Sequence, residues 1–113
     1  MLKPPELRIG NKLNYITSEG GVMETIIDWQ DLKWLTDDPK MFNAYHKPIE
    51  ITAKRLTDLG LQAKGIDFLF PNHFIKYYNC YVFIDIYIIA RNVKYIHQLQ
   101  NLYHSLTGKE LCN

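Results

Sequence analysis

The stretch NVKYIHQLQNLYHSLTGKEL, Asn92 to Leu111, is where apolar spacing and helix punctuation agree. Tyr95, Ile96, Leu99, Leu102, Tyr103 and Leu106 recur at helical spacing and share one side of the wheel. Lys94, His97, Asn101, His104 and Ser105 fall on the other side. Asn92 is suited to cap the start, and Gly108 to take the left-handed conformation that ends a helix. The pattern predicts a helix over residues 93–107 whose apolar stripe packs on a sheet.

Immediately upstream, Tyr81 to Ile89 alternates as one long strand. Val82, Ile84, Ile86 and Ile88 line one face, and Tyr81, Phe83, Asp85, Tyr87 and Ile89 the other. Both faces are largely apolar, which predicts a central strand covered by the last helix. Strands over 66–70 and 73–78, with turns at Pro71-Asn72 and Asn79-Cys80, complete a three-stranded antiparallel meander. Thr52 caps a short helix over 53–59, and Gly60 stops it with Leu61 placed for the accompanying apolar contact.

The first third reads as β structure. Asn11 to Thr17 is a strand, Ser18-Glu19-Gly20-Gly21 a turn, Val22 to Trp29 a second strand and Leu32 to Leu35 a third, with a helix as the alternative for the acidic stretch between the tryptophans. Thr36 to Lys40 is a turn, and Met41 to Tyr45 is a fourth strand or a single helical turn. The expected fold is therefore α+β. An SH3-like small antiparallel β-barrel lobe, residues 1–48, is followed by an α+β lobe, residues 49–113, of helix, meander and C-terminal packing helix, the two forming one compact unit.

Composition narrows the function classes. The 113 residues carry a net charge of +1, so no global field recruits a polyanion. Charge is uneven, however: Glu19, Glu24, Asp28, Asp31, Asp37 and Asp38 face only Lys33 in their segment, whereas bases outnumber acids after Pro39. The longest apolar run is about half a membrane span and includes Asp85. The opening Met-Leu-Lys-Pro-Pro-Glu lacks the apolar core of a signal peptide. Two cysteines, Cys80 and Cys112, allow one disulfide at most. A cytoplasmic protein with reduced thiols, no membrane partner and no cofactor is expected.

No catalytic constellation emerges. His97 and His104 lie about two helical turns apart, roughly 10 Å, too far for easy joint metal ligation. Asp85 has no second acid, histidine or serine at a matching spacing. Cys80 has no adjacent histidine or arginine to lower its pKa. Glycine-rich phosphate loops are absent. The aromatics Trp29, Trp34, Tyr77, Tyr78 and Tyr81, with His97 and Asn101 on the helix's polar side, are the candidates for contacting a protein partner. Lys76, Arg91 and Lys94 offer a weaker alternative for nucleic acid, and a pocket between the lobes near Asp85 an alternative for a small ligand or nucleotide.

The tail KYIHQLQNLY, followed by LTGKEL, resembles the ending of a group of small uncharacterised proteins of gut bacteria and their phages or mobile elements. LRIGN from Leu7, PIEIT from Pro48 and LGL from Leu59 are similar to further landmarks of that group in the same order. His104 departs from it, standing where an apolar or aromatic residue is usual. The resemblance implies an SH3-like first lobe and an α+β second lobe, and it brings no established activity. The function expected is a non-enzymatic protein-binding module of phage or mobile-element type.

Overall fold

The computed structural model describes residues 1–71 and 75–111. The fold is mixed α+β, with helices and two antiparallel sheets of three and five strands. Contacts divide the chain into two compact units. The first combines Met1–Glu50 with Tyr95–Glu110; the second contains Ile51–Lys94 and Leu111.

In the first unit, β1 (Lys12–Ile16) and β2 (Val22–Ile26) form a hairpin in which Leu13 faces Thr25 and Tyr15 faces Met23. Gly20, at φ +85°, makes its turn possible. The third strand expected at Leu32–Leu35 is instead part of helix α1 (Trp29–Asp37), and β2 stops before Trp29. The cause is local. Asp31 N–H donates to the Asp28 carboxylate and Asp28 N–H donates to the Asp31 carboxylate, each at 3.0 Å, a reciprocal cap that satisfies donors a helix start leaves orphaned. The short apolar run Leu32–Leu35 fits helix and strand equally, so the cap decides.

Asp38 then ends α1 and begins α2 (Pro39–Tyr45): its N–H donates to the Trp34 carbonyl and its carboxylate accepts from Met41 N–H. Pro39 sits at the first helical position, where its missing N–H costs nothing. The turn expected at Thr36–Lys40 is thus a helix–helix junction, and Met41–Tyr45 is helical. β3 (His46–Lys47) pairs with β1, giving the strand order β2-β1-β3. Among the described residues these strands close no barrel, so the SH3-like expectation is corrected to a three-stranded sheet with helices. Leu2, Leu7, Leu13, Ile27, Leu35 and Phe42 form its buried core.

The last helix, α4, spans Ile96–Thr107 and ends at Gly108 with φ +73°. It starts later than expected: Asn92 lies at φ +57° and Tyr95 is extended, bridging Glu50. The helix groups with the first unit, beside β1, rather than with the 81–89 segment to which its apolar stripe was assigned. Hydrogen bonds from its side chains and backbone tie it there. Gln100, fully buried, accepts from Lys12 N–H at 2.9 Å, and Ile96 N–H donates to the Ile49 carbonyl.

In the second unit, α3 (Ala53–Asp58) is capped by Thr52 as expected. Gly60 N–H donates to the Thr57 carbonyl and Leu61 N–H to the Leu56 carbonyl, the paired bonds of a glycine stop. The meander has five strands rather than three: β4 (Gln62–Lys64), β5 (Asp67–Leu69), β6 (Ile75–Tyr78), β7 (Tyr81–Ile84) and β8 (Tyr87–Ala90), paired in that order. Asn72 and His73, expected in a turn and a strand, lie outside the described residues, as does Cys112. The long strand over 81–89 is a hairpin. Ile84 pairs with Tyr87 across Asp85-Ile86, and Asp85 takes φ +57°, a conformation aspartate adopts more readily than most residues. No helix among the described residues is long and apolar enough to cross a membrane.

Candidate functional site

An aromatic cluster organises the surface of the first unit. His46, fully buried, stacks on Phe42 with ring centres 3.9 Å apart. Trp34 meets both rings edge-on, at 5.3 Å from His46 and 5.6 Å from Phe42. Tyr15 approaches His46 edge-on at 5.2 Å. The Phe42 carbonyl lies 2.8 Å from His46 Nδ1, so that nitrogen carries the proton and the ring is held in one orientation. The cluster is therefore a fixed platform.

Two shallow depressions flank the half-buried Trp34. One is lined by Trp29, Gln30, Lys33, Trp34 and Asp37. The other is lined by Tyr15, Met23, Thr25, Asp31, Trp34 and His46. Trp29 is 63% exposed, and Val22, Met23 and Ile26 are exposed along β2, the outermost strand of its sheet. One carboxylate lines each depression: Asp37, paired with Lys33 at 3.2 Å, in the first and Asp31 in the second. Burial raises the Asp31 carboxyl above its ordinary value, while its hydrogen bond from the Asp28 backbone pulls the other way. An apolar floor beside an open strand edge, bordered by acids, suits an extended segment carrying Lys or Arg side chains.

A separate cavity of about 550 Å³ in the same unit is lined by Glu6, Lys40, Lys47, Tyr95 and His97 among others. His97 is 2% exposed and its Nδ1 has no hydrogen-bond partner. Burial pushes its pKa down to about 4, so the imidazole is neutral at pH 7. Its ring lies nearly parallel to Tyr95 at 5.9 Å.

The sequence candidates do not converge on one place. Trp29 and Trp34 line one depression, but Tyr77, Tyr78 and Tyr81 belong to the other unit. Tyr77 is buried, its hydroxyl donating to the Val93 carbonyl at 2.9 Å and its pKa pushed up to about 12 by burial. Tyr78 and Tyr81 are an exposed cross-strand pair closing the β6–β7 hairpin. His97 is interior, and Asn101 is engaged with Asn11 and the Glu6 carbonyl. Cys80 is a free thiol in a turn, and His104 lies 4.0 Å from Glu110. Among the described residues no three His, Cys, Asp or Glu gather as metal ligands.

Tyr15, Met23 and His46 were missed. Tyr15 shares its strand face with Leu13, and only the pairing of β1 with β3 brings it to His46. Comparison of the chain with models of protein families, with curated proteins and with solved structures finds no match.

Proposed function

We propose that this chain is a non-enzymatic, cytoplasmic protein-binding module of phage or mobile-element type, taking an extended segment of a partner protein on its first unit. The observation that carries this reading is the placement of Trp34, flanked by two depressions and adjoining the open edge of β2. Strand addition to β2 supplies main-chain hydrogen bonds, and the depressions take alternate side chains. The acids of α1 and its cap favour basic residues among them. In this reading a small sheet with helices does what an SH3-like barrel does, presenting aromatic rings to an extended peptide.

An array of extended peptides alternating apolar residues with Lys or Arg, followed by titration monitored by tryptophan emission, tests it. Binding is expected to weaken with salt and to fall at least roughly tenfold in Trp29→Ala and Met23→Lys. Peptides that fail to bind, or bind these variants equally well, would overturn it.

A second reading, small-ligand binding, is favoured by the cavity at His97, whose buried unpartnered nitrogen a ligand would satisfy. A thermal-shift titration with mononucleotides and small carboxylic acids examines it. A rise in Tm lost in His97→Leu supports this reading; no rise at millimolar ligand removes it.

A further inference from the structure

The five-stranded sheet of the second unit has two dissimilar edges. β4, at one end, presents Gln62 and Lys64, the kind of polar and charged edge that discourages pairing. β8, at the other, is Tyr87-Ile88-Ile89-Ala90, with no charge and no proline. It is also uncovered: Ile86 is 79%, Tyr87 69% and Ile88 44% exposed.

The hairpin fixes which backbone groups face outward. Ile84 and Tyr87 flank a two-residue turn and form its hydrogen-bonded pair. The next pair, Phe83 with Ile88, is then of the alternate kind, so the N–H and C=O of Ile88 point away from β7 toward the open edge. Beyond it the register slips. Val82 faces Ala90, which leaves Ile89 as an extra residue and bends the strand. The unpaired edge is therefore short and centred on Ile88.

We infer that β8 is a self-association edge, on which a second copy of this chain pairs antiparallel about Ile88. Positions in such a pairing mirror about its centre. Ile88 meets Ile88, with each N–H donating to the other's carbonyl, and Tyr87 meets Ile89. Ile86 then comes opposite Ala90, and beyond the paired residues the Asp85 turn of each copy comes to the Arg91 end of the other, at both ends of the seam. Both residues are exposed, and neither has an ion-pair partner among the described residues. Parallel pairing in register would instead set Asp85 against Asp85 and Arg91 against Arg91, so charge selects the antiparallel arrangement. Ile86, Tyr87, Ile88 and Ile89 are exposed beside this edge, so pairing there covers apolar surface together with the backbone groups. The two-fold axis uses up the β8 edge, and Lys64 guards the other edge of the same sheet, so pairing through this sheet stops at a dimer.

Sedimentation velocity of the full chain from micromolar to millimolar concentration tests this. A concentration-dependent monomer–dimer equilibrium is expected, with Ile88→Lys monomeric throughout. Asp85→Arg and Arg91→Asp should each weaken the dimer roughly tenfold, and the two together should restore it. A chain monomeric at millimolar concentration, or a dimer indifferent to Ile88→Lys, would overturn the inference. A double reversal that fails to recover would exclude the Ile88-centred register. Circular dichroism confirms folding of each variant, and Ile88→Thr stands in if the lysine is not tolerated. Trp29→Ala leaves the dimer intact, which keeps this outcome separate from that of peptide binding.

Discussion

The side-chain amide of Asn11 donates to the Asn101 side-chain oxygen across 2.8 Å, tying the segment before β1 to the middle of α4. Asn101 in turn donates to the Glu6 carbonyl at 2.9 Å, and Asn11 accepts from Arg8 N–H at 2.7 Å. Residues separated by most of the chain are thus held by a polar network, reinforced by the forked contact of Arg8 with the Glu110 carboxylate.

Asn101→Ala leaves the Asn11 amide and the Glu6 carbonyl without their partner. A loss of about 1–3 kcal/mol is expected, read as a lower urea midpoint with an unchanged slope. Peptide binding measured well below the new midpoint should be unaltered, because Asn101 acts inside the fold.

Cys80 sits at φ +70° and Asn79 at φ +46° in the β6–β7 turn. A left-handed conformation costs an ordinary residue about 1–2 kcal/mol, whereas asparagine tolerates it and glycine adopts it freely. Cys80→Gly is expected to stabilise by about 1 kcal/mol, less than the full relief because glycine loosens the unfolded chain. Asn79→Gly should gain less. Thermal unfolding of the pair checks the order.

Stability should fall below neutral pH. The His97 pKa is lowered from 6.5 to about 4 in the folded state, so the unfolded chain binds the extra proton between those values. Its contribution is complete above about pH 6.5 and is lost as pH drops toward 4, at no more than about 1.4 kcal/mol per pH unit. The Arg8 hydrogen bond also holds the Glu110 carboxyl below its ordinary 4.5, a contribution present above that pH and lost as pH falls through the folded value. Glu110 is exposed, so its share is small. His97→Gln should flatten the profile between pH 6.5 and 4, measured by urea midpoints across the range.

The two tryptophans should separate by their packing. Trp29→Ala removes an exposed ring and is expected to change stability by no more than about 0.5 kcal/mol. Trp34→Ala removes the ring that stands edge-on to Phe42 and His46, and about 2–3 kcal/mol should be lost. Emission of the Trp34→Ala protein, which retains Trp29 alone, should already resemble that of tryptophan in water.

Local chemistry is what can be read directly from this chain. Thr52 and Gly60 bound α3 by their own side chain and conformation, and Gly108 ends α4, because caps act within a few residues. The hairpin of β1 and β2 follows from its alternation and its glycines. The same logic was available at Asp28 and Asp31, but there a strand-like apolar run masked the capping pair. At Asp85, unbroken hydrophobic alternation hid a turn.

By itself, the sequence determined an α+β chain with antiparallel strands, two of its helix stops and a concentration of acids around its tryptophans. Tertiary structure alone decided that α4 groups with β1, that β1 and β3 bring Tyr15 to His46, and that β8 is an edge. The reason is physical: each depends on a partner far along the chain, such as Lys12 for Gln100 or Lys47 for Asn14, and no periodicity encodes which distant backbone a side chain or strand will meet.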